Sequence, residues 1–165
     1  RYAEAITETA VALDLDSNQA AAYALRAKAT LGIGQWSAGM VKEVEADFSR
    51  AVRLEPNNVS WYVHRSEGYV QLGKITEAEA DLTKAIELDP RLSEAWMDRA
   101  TALSNLGRSQ EAEEAMQMAM FLIEEPGAAT VPPTPTVKSP LYWFLAPLSL
   151  ASVLGYSMLR RRNRQ

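Results

Sequence analysis

The chain has 165 residues, a formal net charge of −4 and no cysteine. Without thiols there is neither a disulfide framework nor a cysteine nucleophile, and a single histidine, His64, leaves no His–His metal pair within the chain. All 21 acidic residues lie at or before Glu125, against only 12 of the 17 basic ones; such an acidic body opposes nucleic-acid binding, which needs cationic groups to displace condensed counterions.

Residues 1–19 predict one amphipathic helix, with Ala5, Thr9, Ala12 and Leu15 on a helical period. It opens without a partner helix before it, as expected for the second helix of a truncated repeat and the C-terminal part of a longer protein. Residues 20–58 predict a pair of helices. Tyr23, Ala27 and Leu31 lead to Gly34, and Val44, Phe48, Ala51 and Leu54 lead to Pro56. Residues 59–92 repeat the pattern with Trp61, Arg65, Tyr69 and Leu72 before Gly73. A second helix follows with Ala78, Leu82, Ala85, Ile86 and Leu88, ended by Pro90, which has no amide proton to continue it. Thr76 and Glu79 have the spacing of a capping box at the start of that helix. In residues 93–125 the pattern returns with Trp96, Ala100, Leu103, Leu106 and Gly107; Ala112, Met116, Ala119 and Met120 are then expected to face inward. The phrases ALDLDSN, AVRLEPN and AIELDPR recur in register, and the 20–58 unit is about 5 residues longer, the excess falling near 37–42. Seven helices result. None of the pairs can bury its own apolar faces, so the units must stack on one another.

These features resemble the tetratricopeptide repeat family. The matching positions are an early aromatic (Tyr23, Trp61 or Tyr62, Trp96), a glycine closing the first helix, and small residues at the helix crossing (Ala78, Ala85; Ala112, Ala119). Proline ends two of the units (Pro56, Pro90). The sequence departs from the family at Ser66 and at Pro126, which comes two positions late. The resemblance implies an all-α solenoid of helix-turn-helix units wound as a right-handed superhelix, the first helices lining its concave side. It implies a partner-binding groove at Lys28, Ser60, Val63, Glu67, Gln71, Glu94, Met97, Thr101 and Asn105, with His64 and Asp98 beside them. Chaperone-binding members of the family grip a C-terminal carboxylate at positions held here by Ala24, Lys28, His64, Glu94 and Asp98. Glu94 and Asp98 would repel that group.

Beyond Glu125 the composition changes. Residues 126–140 hold five prolines and predict an extended linker. Residues 141–159 carry no charge over 19 positions and predict a single transmembrane helix; residues 160–165, with four arginines, form a basic tail. By the positive-inside tendency the C-terminus is expected in the cytoplasm and the repeats on the extracytoplasmic side.

The functional expectation is a non-enzymatic, membrane-anchored scaffold that binds a peptide or partner helix and uses no cofactor. The alternatives are a cytosol-facing tail-anchored adaptor or import receptor, and the targeting module of a longer enzyme. On the last helix, Ala115, Met118 and Phe121 replace polar residues of earlier units. Ala115, Met118 and Leu122 form an apolar stripe that predicts an exposed docking face, open to another protein or to a second copy of the chain as a homodimer. The alternative is that the proline linker folds back over it.

Overall fold

The computed structural model describes residues 1–124. They form α1 (Tyr2–Leu15), α2 (Ala20–Gly32), α3 (Ala38–Leu54), α4 (Val59–Gln71), α5 (Ile75–Leu88), α6 (Ser93–Asn105) and α7 (Ser109–Glu124). Each helix packs against its chain neighbours, and α2 also touches α4, so these two first helices lie side by side. The result is an all-helical solenoid.

The turn inside each unit follows from one glycine. Gly34, Gly73 and Gly107 have φ of 75°, 74° and 74°, a left-handed conformation that side chains disfavour. After α4 and α6 the closure is the same pair of bonds. Gly73 N–H donates to the Val70 carbonyl (3.0 Å) and Lys74 N–H to that of Tyr69 (2.8 Å), as Gly107 and Arg108 do to Ser104 (3.0 Å) and Leu103 (2.9 Å). Gly34 instead leads into the extra residues. Trp36 lies there, donating its Nε1–H to the Leu31 carbonyl at 3.2 Å and resting on the core. Ser37 then caps α3 by accepting from the Met40 amide.

Tyr62, rather than Trp61, is the counterpart of Trp96. Both are buried, and each donates to the carbonyl of the proline ending the unit before: Tyr62 Oη to Pro56 and Trp96 Nε1 to Pro90, at 2.9 Å in both cases. Within units, a buried ion pair ties the first helix to the second. Arg26 grips Asp47 and Arg65 grips Asp81, each through two bonds. The partners are 21 residues apart in the first case and 16 in the second, a difference equal to the insertion. The core forms two clusters, one centred on Phe48 and Ala27, the other running from Val52 to Leu122; Trp61 packs against both.

Two expectations are corrected. The Thr76–Glu79 capping box does not form: α5 begins at Ile75, and its N-cap, Lys74, makes no side-chain cap bond. Glu79 instead accepts from Thr83 on its own helix and pairs with Arg99 and Arg108, cations of the following unit that outcompete a local amide. The membrane-anchored, extracytoplasmic placement is also not retained, because among the described residues no helix is long and apolar enough to cross a membrane. The linker at 126–140, the apolar stretch at 141–159 and the basic tail at 160–165 lie outside the described residues.

Candidate partner-binding groove

The face shared by α2, α4 and α6 is built by repetition. Leu25, His64 and Asp98 occupy one position of the three units, and Lys28, Glu67 and Thr101 occupy the position one turn on. Because α2 touches α4, these side chains meet across the unit boundary. Lys28 Nζ lies 3.3 Å from His64 Nδ1 and 3.3 Å from Glu67 Oε2, and His64 Nδ1 lies 3.5 Å from the same carboxylate oxygen. All three remain accessible, with Lys28 and Glu67 about two-fifths exposed.

Further along the groove, no ion pair reaches Glu94 or Asp98 among the described residues. Burial pushes the Asp98 carboxyl above its ordinary range, and the negative charges of Glu94 and then Glu67 push it further. This end therefore disfavours added negative charge. Met97 stands exposed beside it, and Thr101 turns its hydroxyl to the Met97 carbonyl at 3.1 Å. Ser60, Gln71, Glu94 and Asn105 are exposed on the same helices. Val63 is not a groove residue: it is 4 % exposed and packed in the core with Tyr62 and Leu82.

At the other end a cleft of about 570 Å³ opens between α1, α2 and α4. Tyr2, Leu25, Ala29 and Phe48 give it an apolar lining; Lys28, His64, Glu67 and Gln71 supply polar groups. The sequence reading missed Leu25 and Tyr2. The register that aligns His64 with Asp98 also selects Leu25, whereas Tyr2 belongs to α1 and enters only through packing.

The predicted docking face on α7 is buried. Ala115, Met118 and Leu122 are 1 %, 7 % and 6 % exposed and share a core cluster with Trp96 and Ala119. The reason lies in register. Ala115 stands where earlier units have Asp47 and Asp81, and Met118 where they have Arg50 and Lys84. Those positions face the unit's own first helix, as Asp47 does in gripping Arg26 and as Arg50 does over the Tyr23 ring. Pairing of two chains through Ala115, Met118 and Leu122 thus has no surface to use. The residues expected inward, Met116 and Met120, are 40 % and 54 % exposed.

Two tetratricopeptide repeat models match the sequence, one over residues 62–92 and the other over residues 82–114. No curated protein matches it. Among solved structures, a crystal structure of MamA is similar at a TM-score of 0.66 with 21% identity, over 73% of this chain and 68% of that one. The second tetratricopeptide repeat domain of Spaghetti (RPAP3), bound to the HSP90 peptide SRMEEVD, is 27% identical with a TM-score of 0.55. That likeness covers 63% of this chain and 92% of the other. The Arabidopsis OM64 tetratricopeptide domain is similar at 24% identity and a TM-score of 0.55, over 68% and 87% of the two chains.

Proposed function

We propose that this tetratricopeptide-repeat array is a non-enzymatic interaction scaffold that holds an extended peptide or partner helix along the face of α2, α4 and α6. The carrying observation is the groove itself. An apolar cleft at one end suits a side-chain anchor, and polar groups in register along three helices suit a chain lying across them. RPAP3 repeats hold the HSP90 peptide SRMEEVD, whose last four residues are three acids and a valine. Glu94, Asp98 and Glu67 in this groove favour the opposite sign, a segment with an apolar residue followed by lysine or arginine.

Titration of the ¹⁵N-labelled full chain tests this with two peptides of equal length, SRMEEVD and SRMKKVK. The basic peptide is expected to shift the amides of His64, Glu67 and Asp98 in a saturable way, and the acidic one to leave them in place. Equal responses, or none from either peptide, would overturn this reading of the groove.

A further inference from the structure

We propose that the outer face of α7 docks one helix-turn segment of another protein: an amphipathic helix bearing an aromatic residue and a small residue six positions later, followed beyond a glycine turn by a basic residue six positions further on. This surface is separate from the groove, and the same positions elsewhere in the array are covered by the unit that follows.

Met116 is in register with Phe48 and Leu82, and Met120 with Val52 and Ile86. The earlier residues are all buried, each pair covered by the first helix of the next unit. Phe48 is met by α4 at Gly68, so closely that a Cβ there would lie 2.7 Å from its ring. Leu82 shares a core cluster with Ala102, the residue of α6 in register with Gly68. Val52 and Ile86 share that cluster with Tyr62 and Trp96.

A third contact supplies charge. Glu45, Glu79 and Glu113 are in register, as are Lys74 and Arg108. Lys74 pairs with Glu45, and Arg108 Nη1 reaches Glu79 Oε2 at 3.7 Å, so each of these acids receives a cation from the unit that follows. Glu113 is exposed, with a 3.5 Å contact to Gln117 on its own helix. The face of α7 therefore repeats an interface built twice already: Met120 for an aromatic, Met116 for a small residue, Glu113 for a cation. Tyr62–Gly68–Lys74 and Trp96–Ala102–Arg108 are the two occupants within the array. Residues 125–165 contain no run with this spacing, and the runs at 62–74 and 96–108 are already seated. The inferred occupant is therefore a segment of another protein, with a second copy of this chain as the competing outcome of the test.

The probe is a labelled peptide with the sequence of residues 92–109, read by fluorescence anisotropy against the full chain. Saturable binding is expected, weakened at least tenfold by Met116→Glu or Met120→Glu with helix content unchanged. Glu113→Arg should weaken it similarly, and a peptide carrying Arg108→Glu should recover binding to that variant. The charge exchange decides the matter even if a methionine variant unfolds. Absence of saturable binding, or failure of the exchanged pair to recover it, would overturn the proposal. Self-association of the full chain in sedimentation, abolished by Met120→Glu, would also overturn it by making a second copy the occupant.

Discussion

The Arg65 guanidinium holds the Asp81 carboxylate through two parallel bonds, Nε to Oδ2 at 2.7 Å and Nη2 to Oδ1 at 2.6 Å, with side chains only 17 % and 8 % exposed. Burial alone would lower the arginine's pKa; the hydrogen bond and charge of Asp81 more than reverse this. Removing the acid leaves a desolvated cation, so Asp81→Ala should cost about 3 kcal/mol in urea unfolding. The last unit shows the remedy: Ala115 stands at the position of Asp81, and Arg99, the counterpart of Arg65, turns back to Glu79 at 3.0 Å. Arg65→Leu combined with Asp81→Ala should therefore recover most of the loss. A double variant no better than Asp81→Ala would show that the pair contributes stability of its own.

Gly68 lies inside α4, where alanine would ordinarily gain about 1 kcal/mol in helix propensity. Here the added Cβ would stand 2.7 Å from Phe48 Cε2 and 3.2 Å from Leu31 Cδ1. Overpacking of this kind costs about 1–3 kcal/mol, enough to reverse the sign. Gly68→Ala should lower Tm, and Phe48→Leu in the same chain should reduce the deficit. A rise in Tm for Gly68→Ala would contradict the close approach of α4 to α3.

Asp98 carries a raised carboxyl pKa through burial, Glu94 and Glu67. The folded state thus binds its proton more readily than the unfolded chain, and this group's contribution to stability falls as pH rises. Asp98→Asn should accordingly stabilise the repeats at pH 7. The advantage should shrink as pH falls through the raised folded pKa and vanish below the unfolded value of about 3.9. Parallel melting curves across that range check it; a constant difference would place the effect elsewhere.

Glu94→Lys with Asp98→Lys should invert the groove's preference between the two peptides of opposite charge. The basic peptide should lose at least tenfold in affinity and the acidic one gain, with both changes weakening at high salt. Calorimetry at two ionic strengths measures this.

The repeat register was readable because it depends on residues that recur in register: the aromatics Tyr23, Tyr62 and Trp96, and the positive-φ glycines that close α2, α4 and α6. From it followed the helix pairs and the register that aligns Lys28, Glu67 and Thr101 on the first helices. The α7 face was misread for a geometric reason. The stripes Ala112–Met116–Ala119 and Ala115–Met118–Leu122 are adjacent on one helix, and both are apolar. Periodicity cannot rank them; Ala115, Met118 and Leu122 are buried in the core cluster together with Ala112 and Ala119, whereas Met116 and Met120 have no described helix over them. The capping box failed similarly. Thr76 and Glu79 satisfy a local rule, but Arg99 lies 20 residues away and enters only through tertiary packing. Val63 shows the limit of transferring a groove position by resemblance, since its side chain turns into the core here.

The division of the core into two clusters bears on how the array comes apart. The Phe48 cluster is made largely of alanines, Ala20, Ala24, Ala27 and Ala51, and each contributes little apolar area. The other cluster contains Tyr62, Leu82, Ile86, Trp96, Leu103 and Leu122. In a structure whose units contact only near neighbours, the weaker stretch can open while the stronger one stays closed. Amide protons of α1 to α3 should therefore exchange with solvent faster than those of α5 and α6. Trp61, packed against both clusters, marks the boundary at which the opening halts.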